Sequence, residues 1–150
     1  MLLEEEVALL RKLPIFEGVD PGRLKILCFA SDRKSFEAGE VLFREGDMSF
    51  GAYVIISGSV DVHKESDDQH ATKTGSAAGV DIIGQSSMLS DSPRRATVTA
   101  LTDVEVLVIN RSCFLHLMTS CRLSSEKIMK SLGTQLLDSE YRKPLGAHAL

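Results

Sequence analysis

The chain has 150 residues, 43% hydrophobic and 25% charged: enough apolar material for one packed domain and too much for a disordered tail. Its 17 basic and 21 acidic side chains leave a formal charge of −4, which argues against a free-standing nucleic-acid binder working through a basic surface. The longest stretch without Asp, Glu, Lys or Arg is 13 residues, Met48 to Val60, short of the roughly 20 that span a bilayer.

The first residues, MLLEEEVALLRK, carry acids where a signal peptide has its basic region, so the reading is cytoplasmic. Three cysteines, Cys28, Cys113 and Cys121, form no CxxC pair and are expected to be small buried hydrophobes kept reduced. Leu2, Leu3, Val7, Leu9, Leu10 and Leu13 recur with charges between them, a helical pattern. Asp20-Pro21 then predicts a second helix, Asp as N-cap and Pro in its first turn, with Leu24 and Leu27 on one face.

From Lys34 the pattern changes. Gly39, Gly46 and Gly58 punctuate short apolar runs, among them Val41-Leu42-Phe43, Tyr53-Val54-Ile55-Ile56 and the alternating Val60-Asp61-Val62-His63. Short strands with a Gly turn about every ten residues predict an antiparallel sandwich or roll. Lys64 to Ala78 is polar and reads as a long hairpin tip with weak strands. Strand signals resume at Val80–Ile83, Thr97–Ala100 and Val104–Ile109. Phe114, Leu115, Leu117 and Met118 suit a short helix. A longer one follows from Ser124 or Ser125, with Ile128, Met129, Leu132 and Leu136 in one stripe, ended by Pro144 and Gly146.

Enzyme signals are poor. The P-loop and the dinucleotide GxGxxG patterns are absent, and Gly84-Gln85-Ser86-Ser87-Met88 lacks the last Gly of a nucleophile elbow. The histidines His63, His70, His116 and His148 never fall as HxH or HxxxH, so no metal site is expected and a cupin-type metalloenzyme is disfavoured. Asn110-Arg111-Ser112 matches the glycosylation triplet without any sign of secretion.

One segment stands apart: Gly84 to Thr97, GQSSMLSDSPRRAT, between two strand-like runs. A Gly followed by small polar residues starts a short helix whose free N–H groups attract anions. An arginine ten residues on returns, after a Pro-directed turn, to neutralise that charge with a planar fork of donors. The competing reading is a solvated Pro-Arg-Arg turn. Arg94-Arg95-Ala96-Thr97 also looks like a basophilic kinase acceptor, but Thr97 is expected inside a strand.

This segment resembles the phosphate-binding cassette of cyclic nucleotide-binding domains, whose pattern is approximately FGE, a short helix, then PRxA. Further landmarks resemble that family in the same order: Leu13-Pro14-Ile15-Phe16 with Gly18, Gly39 to Phe43 with Glu45-Gly46-Asp47, Tyr53 to Val60, and Thr102 to Leu107 before Phe114. The resemblance covers about Leu13 to Met118. It implies a mainly β fold: an antiparallel, jelly-roll-like β-roll flanked by helices. It implies one domain over 1–150, with N-terminal helices in 1–33, the roll in 34–110 carrying the cassette 84–97, C-terminal helices in 111–143, and a tail in 144–150.

Carried over by position, the resemblance implies that Arg94 meets the cyclic phosphate while Gly84, Ser86, Ser87 and Ala96 line the same pocket. Gln85 stands where the family commonly has the Glu that accepts from the ribose 2′-hydroxyl, and Arg95 where it has a small residue touching phosphate or purine, so Arg95 would either crowd the pocket or add a second phosphate donor. Tyr141, or Leu137, is the candidate lid over the base. The ligand implied is cyclic AMP in preference to cyclic GMP, with no other cofactor. Signalling would run through movement of the C-terminal helix, whose apolar stripe permits a homodimer or a partner protein. The alternative is the same fold without nucleotide binding, an interaction module, which Gln85 and Arg95 favour. The chain ends at Leu150 with no helix-turn-helix, so DNA binding would need a further domain.

Overall fold

The computed structural model describes residues 3–64, 68–76, 79–88 and 92–120. Two helices open the chain, α1 (Leu3–Leu10) and α2 (Pro21–Ala30), with a 3-10 turn at Pro14–Phe16 between them. Pro21 occupies the first turn of α2, where a missing N–H costs nothing. Asp20 precedes it in extended conformation as expected, but its carboxylate makes no capping bond; only its carbonyl accepts, from Arg23 and Leu24.

Seven strands follow: β1 (Asp32–Phe36), β2 (Val41–Phe43), β3 (Gly51–Lys64), β4 (Gln69–Ser76), β5 (Gly79–Ile83), β6 (Thr97–Ala100) and β7 (Val104–Asn110). All pairings are antiparallel, with β3 at the centre against β4, β5, β6 and β7. β1 closes on β7, and β2 on β6. A third helix, α3 (Arg111–Ser120), leaves β7 directly. This is the antiparallel roll with flanking helices that the sequence implies.

The 14 residues of β3 serve two cores because its face assignment switches midway. Ala52, Val54 and Ile56 face the helices, whereas Ile55 and then Val60 and Val62 face the roll interior. Strict alternation cannot put Ile55 and Val60 on one side. The register shift between Ile55 and Ser57 supplies the extra residue. Gly58 completes the bend at φ +92°, against the Asp103 carbonyl, where a Cβ would collide.

On the helix side Leu10, Ile15, Phe16, Leu24 and Phe114 are fully buried, and Phe16 meets Phe114 edge-on at 6.4 Å between ring centres. Inside the roll Phe43, Ile55, Ile83, Ala96, Val98 and Val106 form the second core. The carboxylate of Glu6 in α1, 1% exposed, takes two hydrogen bonds from Arg33 of β1, one of them Nε to Oε2 at 2.6 Å. That pair ties the helical layer to the sheet edge.

Three expectations change in detail. The polar segment after Lys64 is a regular strand, β4, in register with β3 from Gly58–Gly75 to Lys64–Gln69. β1, DRKSF, showed no apolar alternation because all but Phe36 are exposed on an edge. Asn110 is a helix cap: its Oδ1 accepts from the Ser112 N–H at 2.7 Å, which accounts for the Asn-Arg-Ser triplet. The expected helix after Ser124, with Leu137 and Tyr141, lies outside the described residues, as do Cys121 and His148. Among the described residues no helix is long and apolar enough to cross a membrane.

Candidate functional site

β5 delivers the chain to Gly84, which turns it at φ +75° into a 3-10 turn at Gln85–Met88. Met88 anchors that turn in the helix-side core. The chain returns through Pro93 to Arg94, and Ala96 and Val98 then dive into the roll core. Apolar anchors on both sides therefore fix the polar residues between them.

The return is held by the β2–β3 connection. Arg94 N–H donates to the Asp47 carbonyl and Gly46 N–H to the Arg94 carbonyl, both at 2.8 Å. Ser49 Oγ donates to the Ser92 carbonyl at 2.7 Å, and Glu45 N–H to Thr97 Oγ1 at 3.0 Å. Thr97 lies at the start of β6, half-buried, as the strand reading expects.

Arg94 is only 7% exposed, whereas Arg95 is exposed. The Arg94 guanidinium lies 4.2 Å from the centre of the Phe43 ring and 5.5 Å from that of Tyr53. Those two rings pack edge-to-face at 5.4 Å. Nη1 donates to Ser87 Oγ at 3.1 Å, while Nε is buried with no hydrogen-bond partner. Among the described residues no carboxylate pairs with this cation. Burial pushes its pKa down, partly opposed by Tyr53 and Asp47. A guanidinium does not shed its proton at ordinary pH, so that desolvation persists as an electrostatic demand for an anion.

Of the residues predicted for the site, Gly84, Gln85, Ser87 and Arg94 come together. Gly84 is in contact distance of the guanidinium, and a Cβ there would run into Nη1. Gln85 is half-buried, with its Oε1 unpartnered. Ser87 is buried and gives its N–H to the Gly84 carbonyl at 3.0 Å, so of its polar groups the hydroxyl faces Arg94. Ser86 belongs to the same turn by its backbone. Arg95 points to solvent and Ala96 into the core; Tyr141 lies outside the described residues. The aromatic floor, Phe43 and Tyr53, was not predicted; its signal is two aromatics in the strands β2 and β3 that flank the 44–50 connection holding the cassette.

A β-roll that holds a buried, anion-seeking arginine against a turn of small residues is built to receive an anion. The model of the family described as "Cyclic nucleotide-binding domain" matches residues 33–121, and the chain belongs to that family. It is 32% identical over 111 residues, 73% of its length, to a cAMP-dependent protein kinase regulatory subunit of Eremothecium gossypii, covering 23% of that protein. It is 25% identical over 128 residues, 85% of its length, to a CRP-like cAMP-activated global transcriptional regulator of Mycobacterium tuberculosis, covering 57% of it. Among solved structures, the N-terminal domain of a transcriptional regulator from Streptomyces coelicolor aligns with TM-score 0.72 at 25% identity, over 87% of this chain and 90% of that one. Several of the curated relatives it matches are much longer, the chain spanning from 22% to 61% of their length.

Proposed function

We propose that this chain is a regulatory module that binds a cyclic nucleotide, cyclic AMP in preference to cyclic GMP. The observation that carries the reading is Arg94: a buried cation, stacked on Phe43, with an unpartnered Nε and no paired carboxylate among the described residues. The cyclic phosphate is the anion that satisfies it, with Gly84, Ser86 and Ser87 beside it. Gln85 Oε1, buried and without a donor, suits the ribose 2′-hydroxyl. The mechanism is a population shift. The ligand favours one arrangement of the cassette, and the segment after α3, which the sequence predicts to be helical and to place Tyr141 or Leu137 over the base, carries the change to a second copy or a partner protein. The free thiols of Cys28 and Cys113 suit a reducing, cytoplasmic setting.

A second reading, the same fold acting as an interaction module without nucleotide, rests on Gln85 in the place of the family's usual Glu. Arg95, which the same reading invokes, is exposed. Isothermal titration of the nucleotide-stripped protein decides between the two. The nucleotide reading expects one cyclic AMP per chain, weaker cyclic GMP, and no heat from either with Arg94→Ala. An intact, folded parent that binds neither nucleotide establishes the interaction module instead.

A further inference from the structure

Outside the cassette, the β3–β4 hairpin gathers a cluster that the linear spacing of the histidines concealed. His63 and His70 are direct cross-strand partners. Val60 and Val62 point into the roll, so Asp61 and His63 stand on the opposite face. The two imidazoles stack at 4.2 Å with 6° between their planes. Asp61 accepts from His70 Nδ1 at 2.8 Å. Asp68, held at φ +54° just before β4, brings Oδ1 to 3.4 Å from His63 Nε2. That nitrogen is buried and has no hydrogen-bond partner.

We propose that His63, His70 and Asp68 form a binding site for a divalent transition-metal ion of the zinc class, with Asp61 as the positioning residue for His70. Three observations converge on it. One ligand atom from each of the three residues lies within 4.8 Å of the others. Two imidazoles and a carboxylate are a donor set that zinc takes readily, with a fourth position left to water. The Asp61 bond fixes Nδ1 of His70 as a donor, which leaves the Nε2 lone pair for the ion, the usual arrangement of a ligating histidine.

Ligand atoms about a tetrahedral zinc sit roughly 3.3 Å apart, so His63 Nε2 and Asp68 Oδ1, at 3.4 Å, are already at that spacing and no pair has more than about 1.5 Å to close. Stacked rings present parallel lone pairs, and binding turns His70 out of the stack. His70 and Asp68 are 55% and 93% exposed, free to make that movement, while the less exposed His63 stays in place.

The test is titration of the chelator-treated, dialysed chain with zinc alone, without nucleotide, followed by calorimetry and by the ring resonances of the histidines. The expected result is one ion per chain at micromolar affinity, with His63 and His70 signals shifting together. His63→Ala and His70→Ala each lower the affinity at least a hundredfold, and Asp61→Ala lowers it about tenfold or more, as for an outer-shell carboxylate. His116→Ala leaves it unchanged. His70 is exposed, so the fold survives its replacement and the result is readable. Absence of zinc binding by the parent overturns the proposal, as does binding that persists in both histidine variants. The nucleotide titration is unaffected by either outcome.

Discussion

The guanidinium of Arg94 occupies the space that a side chain at Gly84 would need. Gly84 sits at φ +75°, and a Cβ built on it would collide with Nη1. Two independent demands thus fall on one residue: a left-handed backbone and a missing side chain. Gly84→Ala is expected to cost about 1–3 kcal/mol of stability, since strained backbone is worth that much. It also displaces Arg94, so cyclic AMP affinity falls at least tenfold. Urea unfolding and calorimetry read the two effects, and parental nucleotide binding by this variant would remove Arg94 from the site.

Arg94 itself separates binding from stability. Its aliphatic stem and its contact with Phe43 stabilise the fold, while its desolvated charge, with Nε unpartnered, opposes it. These terms offset, so Arg94→Ala should change the unfolding free energy of the unliganded protein by less than about 1 kcal/mol. Loss of a desolvated charge partner costs about 2–5 kcal/mol of binding, thirtyfold and upward. Arg94→Lys keeps the charge but not the fork and should recover little. Arg95→Ala should matter less than either, and equal binding by all three variants would refute the placement of the phosphate.

In the proposed site Gln85 would offer the ribose a neutral acceptor where a carboxylate accepts better. A hydrogen bond to a charged group contributes about 1.5–3 kcal/mol against about 0.5–1.5 for a neutral pair. Gln85→Glu should therefore tighten cyclic AMP binding by about five- to tenfold. The 2′-deoxy analogue should gain much less, because it lacks the hydroxyl. A new carboxylate could instead pair with Arg94 or Arg95; then both ligands would change together, and equal gains would show that Gln85 does not face the ribose.

The roll was legible where strands carry apolar residues: Val80 to Ile83 and Val104 to Ile109 became strands, but Tyr53–Ile56 and Val60–His63 are one strand, β3, in which the expected Gly58 turn is only a bulge-like bend. β1 and β4 were not, since an exposed edge strand and a polar hairpin arm take their order from pairing rather than from burial. The meeting of Gly84 and Arg94 was readable because a left-handed turn calls for Gly and the return after Pro93 brings the arginine back beside it. The exposure of Arg95 was not, although the resemblance already assigned the inward place to Arg94. Here the inward position falls to the residue that alternates with the buried Ala96. The stacking of His63 on His70 was hidden for a related reason: six residues of separation become direct opposition only once the hairpin register is known.

The Glu6–Arg33 pair was equally invisible, being 27 residues apart in sequence. Removing Arg33 leaves a carboxylate 1% exposed without its partner. Breaking a fully buried pair costs about 3–5 kcal/mol. Arg33 is 45% exposed, so solvent screens part of that interaction, and Arg33→Ala should cost about 2 kcal/mol. Adding Glu6→Gln should restore part of the loss. A cost below about 0.5 kcal/mol in chemical denaturation, as for ordinary surface pairs, would show that the pair does not tie α1 to β1.

Cys28 gives the fold a measurable weakness at high pH. Burial, reinforced by the neighbouring Glu6 carboxylate and partly opposed by Arg33, pushes its thiol from 9.0 up to about 12. In the unfolded chain the thiol ionises near its ordinary value, so between pH 9 and 12 the native state holds a proton that the unfolded state has released. Stability is then present in full below pH 9 and falls as pH rises, by about 1.4 kcal/mol per unit well above that point. Lysines and tyrosines titrate in the same range, so the comparison is with Cys28→Ala: from pH 8 to pH 10 the parent should lose about 1.4 kcal/mol more than the variant. Peptide mapping after native alkylation at pH 8 gives a second check. Cys28, fully buried, should stay unmodified while the half-buried Cys113 reacts first. Matching pH slopes for parent and variant would mean that the thiolate is tolerated at the base of α2.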